Sequence, residues 1–356
     1  MFARVIVAHL DLDAFFAAVE ELEDPSLREV PLVVGGNPDG RGVVATANYV
    51  ARRFGIRSAM SCAEARRRCP DVVFVHPRKS LYSEYSRAVW SAIRDVVPVL
   101  ERTGLDEGYL ALDGVARDMT RARAVAEAVQ AAVLGTTSLS ASLGVSTSKV
   151  VAKVASDRRK PRGLLVVPAG REAAFLAPFD VRLLPGVGPR AEERLRAAGV
   201  ATIGALAALD DATLRRLAPG KIGALLRDRA RGIDPRRVEP ASTAINPSIS
   251  SEETFERDLT DRERLHDEIR RMADQVTGYL HRSGETARTI TTKLRYADFS
   301  IRTRSTSLPV GTDDGERIGE LACVLLDRAL AERPGALRLV GVGVSGLEPF
   351  RQLALV

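Results

Sequence analysis

The sequence predicts an α/β (α+β) protein that begins with a ferredoxin-like βαββαβ unit. Two observations predict this fold. Apolar runs of strand length alternate with longer stretches whose apolar residues recur at helical spacing, and one long mixed segment interrupts the series after the first strand. With residues 13–77 set aside as an insertion, the element order is that of the ferredoxin-like motif. The predicted elements are strands at 5–10, 99–103, 109–112 and 138–145 and helices at 81–97 and 117–134.

Carboxylates stand where the first strand ends and where the second strand turns into the third. Asp11 follows the first apolar run, and Asp106 and Glu107 are adjacent in the predicted turn. In this topology the first two strands run parallel with the third between them, so the two places are neighbours. Adjacent strand residues point to opposite faces, so Gly104 and Gly108 are expected to give the turn the freedom to aim both acids at one site. The alternative is that all three are surface acids at strand ends.

Three convergent carboxylates repel one another unless a cation neutralises them. No cysteine or histidine cluster lies nearby, and His9 on the apolar strand is expected to be a packed residue. All-oxygen ligands favour a hard ion such as Mg²⁺, which binds a few carboxylates together with substrate phosphates. The pattern therefore predicts a two-metal site for phosphoryl transfer.

The bulk composition is that of a folded protein with more than one domain. The chain has 356 residues, 45% of them hydrophobic. Its net charge of +6 is compatible with a polyanionic partner, although arginine-rich composition alone can produce such a charge. Cys62, Cys69 and Cys323 lack metal-ligand spacing and are expected to be reduced. There is no apolar stretch of membrane-span length and no signal peptide, so a soluble, cytoplasmic protein is expected.

The insertion carries side chains suited to phosphate. Its turn and cap signals predict a small α/β subdomain in which Asn48 caps a short helix. Tyr49 and Arg52 share one face of that helix, and Thr46 precedes it. Arginine grips phosphate oxygens as a fork and hydroxyls take single oxygens, so the trio fits a triphosphate. The alternative is a solvated helix face.

A basic helix follows the last predicted strand. Ser146 is expected to cap a helix that runs to residue 156, and Lys149 and Lys153 share one of its faces. Because this helix is near the predicted site, its lysines are expected to contact phosphate. The alternative is a solvated basic helix end.

Short Ala-, Leu- and Arg-rich helices are predicted for residues 169–233, where no strand pattern occurs. Their Leu-Pro-Gly-Val-Gly run resembles a helix-hairpin-helix, in which Gly186 and Gly188 would let backbone N–H groups approach a phosphate. A proline-containing linker follows, and the alternation of strands and helices beyond residue 249 predicts a second α/β sandwich.

Five runs of the sequence are similar to the signature runs of one enzyme family. They are DLDAFFAAVE, GVVATANYVARRFGIRSAM, LDEGYL, SLGVSTSKVVAKVASDRRKPRG and LPGVG, in the family order and over essentially the whole chain. The family is that of the Y-family translesion DNA polymerases, in particular the DNA polymerase IV branch. The resemblance implies addition of dNTPs to a primer 3′-hydroxyl on primer-template DNA by two-metal nucleotidyl transfer, with low fidelity and no proofreading. A monomer is expected.

The resemblance also assigns roles to residues. Asp11, Asp106 and Glu107, with the main-chain carbonyl of Leu12, would hold two Mg²⁺ ions, for which Mn²⁺ could substitute. Phe16 would be the steric gate, an aromatic ring that clashes with a 2′-hydroxyl on the incoming sugar. Phe15 and Phe16 differ by about 100° around a helix, so one can pack inward while the other faces the nucleotide. The triphosphate would be bound by Thr46, Tyr49, Arg52 and Lys160.

The family's domains divide the chain as follows: a palm (1–12 and 76–167) with inserted fingers (13–75), a small all-helical thumb with the helix-hairpin-helix (168–233), a linker (234–248), an α/β little finger (249–346) and a tail (347–356). Basic residues interleaved with Ser and Thr on the little-finger strands suit a sheet that lies in a DNA groove, although they could serve solubility alone. They are Arg288, Lys293, Arg295, Arg302 and Arg304.

The C-terminal QLALV resembles the peptide that binds the replication sliding clamp. Gln352, Leu353 and Leu355 would enter an apolar pocket in an extended conformation. The family pattern usually ends in an aromatic residue and this chain ends in Val356, so weaker clamp binding is expected. A frayed apolar tail is the alternative.

The second acidic run departs from the family's SLDEAYLD at Gly104, Gly108 and Ala111. None of these positions is a metal ligand in the family, so activity is expected with a looser turn and weaker nucleotide affinity. Nucleotidyl cyclases share the palm but lack the helix-hairpin-helix and the basic second sandwich. The remaining alternative is a catalytically inactive DNA-binding or clamp-docking subunit with the same fold, against which the three intact acids argue.

Overall fold

In the computed structural model, which describes residues 5–219, 221–240 and 248–350, the predicted βαββαβ order is present. The chain divides into two units, residues 1–38 with 42–244 and residues 39–41 with 245–356. Each unit has its own hydrophobic core. No described helix is long and apolar enough to cross a membrane.

The elements of the first unit are, in chain order, β1 (Val7–Leu12), α1 (Phe15–Glu23), β2 (Leu32–Gly35), β3 (Val44–Ala47), α2 (Tyr49–Arg52), α3 (Cys62–Arg68), β4 (Val73–Val75), α4 (Lys79–Val96), β5 (Leu100–Arg102), β6 (Glu107–Ala111), α5 (Met119–Thr137), β7 (Ala141–Ser146), α6 (Lys149–Ser156), β8 (Leu164–Val166), α7 (Glu172–Leu176), α8 (Pro189–Ala197), α9 (Ile203–Ala207), α10 (Asp211–Leu217) and α11 (Lys221–Ala230). Those of the second unit are β9 (Ser248–Leu259), α12 (Arg262–Ser283), β10 (Glu285–Tyr296), β11 (Ile301–Thr312), α13 (Gly315–Glu332) and β12 (Leu337–Pro349).

The main sheet of the first unit has the strand order β5-β6-β1-β7-β8. The third predicted strand lies between the first two, as expected, and β1 is antiparallel to both β6 and β7. Asp11 is directly opposite Glu107 in this register. The sequence pattern does not predict β8, a three-residue strand parallel to β7, because so short a run has no recognisable period.

The two faces of this sheet have different chemistry. Leu10 and Leu110 point into the core with Trp90 and Ile93 of α4, and full burial of a leucine side chain contributes about 1.5–3 kcal/mol. By strand alternation the other face carries His9, Asp11, Tyr109 and Glu107. Helix α6 packs on that face, because the ring of His9 hydrogen-bonds to Ser156.

The insertion forms a three-stranded sheet of order β3-β2-β4 with helices α2 and α3. Asn48 accepts a hydrogen bond from Ala51 N at 2.8 Å and so caps α2, as the sequence predicts. Ser61 caps α3 by accepting from Glu64 N. The Glu64 carboxylate binds Arg67 and Arg68.

Helices α7 to α11 enclose a separate small core that contains Leu176, Leu195, Ile203 and Leu226. Gly186 has a φ of +103°, a left-handed conformation that favours glycine. Gly188 is the residue before α8, whose first turn begins with Pro189. The predicted Gly-Val-Gly turn therefore leads directly into a helix N-terminus.

The second unit is an antiparallel sheet of order β11-β10-β12-β9 with α12 and α13 packed on one face. The predicted basic strand residues do not share a face. Lys293 lies on the open face, opposite Thr303. Arg302 and Arg304 are opposite Leu294 and Thr292, whose side chains are buried toward the helices. A two-residue period shows that residues alternate but not which phase is solvated, so the sequence does not reveal that these two arginines lie on the helix-covered side of the sheet.

Three local expectations also differ from the structure. Ser148, not Ser146, caps α6 by accepting from Val151 N. Gly104 and Gly108 do not have left-handed backbone conformations. Asp11 is a residue of β1 itself rather than the residue beyond its end. The predicted clamp-binding residues Gln352, Leu353 and Leu355 lie outside the described residues.

Candidate active site

The backbone of the acidic turn is held against β1 and α4. Leu12 N–H donates to the carbonyl oxygen of Asp106 at 2.9 Å, which ties the turn to the end of β1. The carbonyl oxygen of Leu105 accepts from the indole Nε1 of Trp90 at 3.0 Å and from the Ser86 hydroxyl. The turn that carries Asp106 and Glu107 is therefore fixed from two sides.

Two lysines neutralise acids of the site. Lys160 Nζ lies 2.7 Å from Asp11 Oδ1 and 2.8 Å from Asp157, and Lys153 Nζ donates to Glu107 Oε2. Among the described residues, no three His, Cys, Asp or Glu side chains form a ready-made metal cage. The acids that the sequence predicts as ligands thus lie at the same end of β1 and β6. The ammonium groups of Lys153 and Lys160 pair with two of them.

The pKa values of these acids are shifted in opposite directions, upward by burial and downward by neighbouring side chains. Burial raises the pKa of Asp11 to about 6 despite the nearby Lys160 ammonium and also raises the pKa of Asp106. The His9 and Lys153 side chains lower the pKa of Glu107 to about 2. For Lys160, burial lowers the pKa, but Asp11 and Asp157 more than offset it, so the net shift is upward. Partial burial therefore disfavours the charged forms of Asp11 and Asp106, a cost that a bound cation would offset.

His9 is a neutral link between β1 and α6. Burial lowers its pKa. Ser156 Oγ donates to the Lys153 carbonyl oxygen at 2.8 Å and lies 2.9 Å from His9 Nδ1. His9 Nε2 lies 3.5 Å from Glu107 Oε2 and 3.3 Å from Lys153 Nζ. The expectation of a packed histidine agrees with this geometry, and the histidine orients Lys153 toward Glu107.

Asp13 is a buried carboxylate that the sequence pattern does not assign to the site. Its Oδ2 accepts from Ser140 Oγ and from Arg162 N, both at 2.8 Å. Its Oδ1 accepts from Ser142 Oγ at 2.8 Å and from the Tyr49 hydroxyl at 3.4 Å. The available signal was its position two residues after Asp11. Asp13 joins β7, the turn that carries Lys160 and helix α2, beside a cavity of about 670 Å³.

The predicted triphosphate residues are partly brought together. Arg52 stacks its guanidinium over the Tyr49 ring at 4.9 Å and donates from Nε to the Ala47 carbonyl oxygen. No acid among the described residues pairs with Arg52. Burial raises the pKa of Tyr49, so its hydroxyl remains a donor at neutral pH. Thr46 is on β3, just before this helix.

Phe15 and Phe16 divide as the helical spacing predicts. Phe15 is buried in the core, whereas Phe16 is half-buried at its edge. The Phe16 ring stacks on Tyr82 of α4, with centroids 4.3 Å apart and an interplanar angle of 15°. The Tyr82 hydroxyl donates to the buried carboxylate of Glu20, which also binds Arg78. The ring of Phe16, the candidate gate, therefore stacks on a tyrosine that is itself held by a hydrogen bond to Glu20.

Gly108 is explained by close approach rather than by turn freedom. A Cβ at this position would lie 2.5 Å from the Glu101 carbonyl oxygen and 2.6 Å from the Trp90 ring. The family's alanine would therefore clash with Trp90 in this chain. The expected looser turn is not what the geometry indicates, since the ring fills the space that an alanine would take.

The predicted DNA-contacting residues differ in their present partners. Lys293 binds Glu252 at 2.8 Å, and Arg304 binds Glu332 of α13. Arg288 lies 3.6 Å from Glu348, and Arg302 is exposed on the edge strand. A Cβ on Gly188 would meet no heavy atom within 4 Å, so the entrance to α8 is open.

The sequence matches the impB/mucB/samB family over residues 10–157 and the C-terminal domain of that family over residues 246–355. The DNA polymerase IV of Dehalococcoides mccartyi strain CBDB1 is 39% identical over 98% of this chain and 89% of its own length. That of Halorhodospira halophila is 42% identical over 96% of this chain and 95% of its own length.

The chain belongs to the impB/mucB/samB family. Within it, the chain is a member of the DNA polymerase IV branch of the Y-family polymerases, which confirms the resemblance in the motifs.

Solved structures show the same fold. The Y-family DNA polymerase chimera Dbh-Dpo4(243-245)-Dbh superposes with a TM-score of 0.88 and 23% identity, covering 97% of this chain and 99% of its own. An insertion ternary complex of Dbh DNA polymerase gives a TM-score of 0.68 with the same identity and coverage. The α/β architecture predicted from the sequence is therefore confirmed.

Proposed function

We infer that this chain is a template-directed DNA polymerase of the translesion type, which adds dNTPs to a primer 3′-hydroxyl. Membership of the polymerase IV branch supports this activity. The structural observation that carries it is the register pair Asp11 and Glu107, with Asp106 in the turn beside them. The ternary complex of the Dbh relative supports primer-template DNA and a dNTP as substrates of this chain.

The acids fit divalent metal ions. Asp11 and Asp106 are partly buried carboxylates whose pKa values are raised by desolvation, and every candidate ligand atom is an oxygen. Mg²⁺ typically uses a small number of carboxylates and completes its shell with water and substrate phosphates, so a complete protein cage is not required. We propose Asp11, Asp106, Glu107 and the Leu12 carbonyl as the ligands of two Mg²⁺ ions. When bound, such ions activate the primer hydroxyl and stabilise the leaving pyrophosphate.

The surrounding side chains bind and orient the nucleotide. The Tyr49 hydroxyl and the Arg52 guanidinium, stacked on one another, offer a donor and a fork to phosphate oxygens. Lys160 offers a second cation, and its release from Asp11 would accompany metal binding at that carboxylate. Phe16, braced by Tyr82, provides the surface against which the sugar is selected.

The division into palm, fingers, thumb, linker and little finger at the boundaries given above belongs to this proposal, as do a monomeric state and a cytoplasmic location. The open entrance to α8 after Gly188 suits a phosphate of the duplex backbone, because a helix N-terminus favours anions. Docking of the C-terminal tail to a sliding clamp is also proposed.

Primer extension tests this function. Wild type is expected to extend a primer on undamaged and damaged templates with Mg²⁺ or Mn²⁺. Asp106→Ala should abolish extension and leave primer-template binding nearly unchanged, because the acid binds metal rather than DNA. The matched control is Asp113→Ala, an exposed acid beyond the end of β6, which should extend normally. Extension by Asp106→Ala at the wild-type rate would overturn the metal assignment, and a silent wild type would favour the inactive subunit.

A further inference from the structure

The turn between β10 and β11 presents an aromatic ring to solvent. Phe299 is 59% exposed, and its φ of +64° lies in the left-handed region. That conformation costs a residue with a Cβ about 1–2 kcal/mol. Core packing does not explain a large apolar side chain that is held in a strained conformation and left in water, and such strain is often associated with a binding function.

The turn is braced before anything binds to it. Asp298 accepts hydrogen bonds from Ser300 N at 3.0 Å and from Ser300 Oγ at 2.6 Å. Arg333 donates to the other oxygen of Asp298 at 2.8 Å and lies over the Tyr296 ring at 4.3 Å. Ser300 and Arg333 lower the pKa of Asp298 to about 2, so this bracing persists at neutral pH.

Two arginines without acidic partners flank the exposed ring. The guanidinium of Arg338 lies 4.7 Å from the Phe299 ring centroid and that of Arg295 lies 6.0 Å from it. Neither forms an ion pair with any described residue, and Arg295 Nε is buried without a hydrogen-bond partner. Elsewhere on the same sheet, Lys293 is neutralised by Glu252. The ring is therefore surrounded by uncompensated positive charge.

We propose that Arg295, Phe299 and Arg338 form a platform that binds an unpaired base of a DNA single strand. A base stacks on an aromatic ring or a guanidinium plane without regard to sequence, and the adjoining phosphate pairs with a guanidinium that has no carboxylate partner. The inference rests on the proposed function, since the unpaired template of a primer-template is such a strand. It adds a single-strand contact to the duplex contacts proposed for the same domain.

A second exposed aromatic in this unit provides a matched control. Tyr279 on α12 is 55% exposed and lies 4.5 Å from the guanidinium of Arg282. It has the same pairing of ring and arginine, but it is on a regular helix and has one arginine rather than two. If any exposed aromatic next to an arginine contributed to DNA binding, Tyr279 would do so as well.

The test is fluorescence anisotropy of labelled DNA, without dNTP, at one salt concentration. Phe299→Ala should weaken binding to a primer-template with an overhang of about ten unpaired nucleotides by at least about fivefold, the low end of one stacked base. Binding to the blunt duplex should stay within twofold of wild type. Tyr279→Ala should change neither. Equal loss on both DNAs, or no loss on the overhang, overturns the proposal.

Phe299→Trp gives an independent readout. The sole tryptophan of the chain, Trp90, is buried, and its own response is measured in wild type with the same DNA and subtracted. The new indole should keep the affinity for the overhang, and its emission should be quenched by the overhang substrate but not by the blunt duplex. Unquenched emission at saturating DNA overturns the stacking. Primer extension by wild type is measured in parallel, so failure of the polymerase activity and failure of the platform are separate results.

Discussion

At the scale of single residues, Asp13 shows how much of the site depends on a carboxylate to which no metal or nucleotide contact is assigned. It accepts hydrogen bonds from Ser142 of β7, from the backbone of the turn that follows Lys160, and from Tyr49. The side chains proposed to hold the triphosphate come from different segments of the chain. Asp13 is the group that fixes two of those segments against each other, which makes it a positioning residue.

Asp13→Asn should raise the KM for dNTP by about fivefold with a smaller change in kcat. The amide presents a donor where Arg162 N or Tyr49 donates now, so the two segments are no longer tied. Steady-state kinetics of single-nucleotide addition measure this split. Asp118→Asn, at the cap of α5, is the matched control and should leave KM unchanged. A fall in kcat alone, at constant KM, would contradict the positioning role.

Asp11 should make the metal-free protein less stable at high pH. Its folded pKa of about 6 exceeds the ordinary value of 3.8, so the folded state binds the proton more tightly. Stability is then lost as pH rises from about 4 through 6. Asp11→Asn should therefore stabilise the metal-free protein at pH 8 by about 1–3 kcal/mol and make no difference below pH 4.

Urea unfolding at the two pH values measures this effect. Asp157→Asn removes the other carboxylate bound to Lys160 and should give no gain in stability at pH 8. An Asp11→Asn gain that is the same at both pH values would show that the cause is not ionisation.

At the scale of elements, helix α4 contacts two separate parts of the site. Tyr82 stacks on Phe16, while Ser86 and Trp90 hold the carbonyl oxygen of Leu105. These three residues recur every four positions, so they lie on one face of the helix. One helix therefore positions both the candidate gate and the acidic turn.

Tyr82→Ala should lower the discrimination between dNTP and rNTP several-fold, because the Phe16 ring loses the surface that it stacks on. Tyr82→Phe keeps the stack and should retain discrimination even though it loses the bond to Glu20. The measurement is the ratio of kcat/KM values for the two nucleotides, with circular dichroism to confirm folding. Tyr85→Ala, a neighbour on the same helix that bonds to Glu23, should behave as wild type. Unchanged discrimination in folded Tyr82→Ala would remove Tyr82 from this role.

The elements also show which features the sequence predicts and which depend on packing that the sequence does not reveal. Strand order follows from motif order, so the meeting of Asp11 with Glu107 is predictable before any side chain is placed. Which residues of a strand face the helices is not predictable from alternation alone. The helix-facing position of Arg304 is therefore known only from the structure. The sequence suggests that Gly108 gives the turn conformational freedom, whereas in the structure it makes room for Trp90. Asp13 is missed because its donors come from three distant segments.

At the scale of the whole molecule, the net charge of +6 is a poor measure of the charge available to DNA. Many cations are already paired with acids, including Lys149 with Glu101, Lys153 with Glu107 and Arg304 with Glu332. Arginines without such partners should account for most of the electrostatic attraction. Location, rather than the sum of charges, sets the salt dependence.

The affinity for primer-template DNA should fall steeply with salt, with a log-log slope of about −0.9 for each neutralised duplex phosphate. Arg295→Ala should make the slope shallower by about one phosphate, because this guanidinium has no acidic partner. Arg304→Ala should leave the slope unchanged, because Glu332 already neutralises the charge of Arg304 on the helix-covered face. Anisotropy titrations between low and moderate salt measure both, and a flat wild-type response would contradict the basic surface.

Trp90 has a practical consequence. It is the only tryptophan in the chain, its indole nitrogen bonds to the residue before Asp106, and its ring touches Gly108. Excitation at a wavelength that selects tryptophan over the six tyrosines therefore reports on the catalytic corner of the unlabelled protein. Ion loading, nucleotide capture or thermal melting at that corner can be followed optically without attaching a dye.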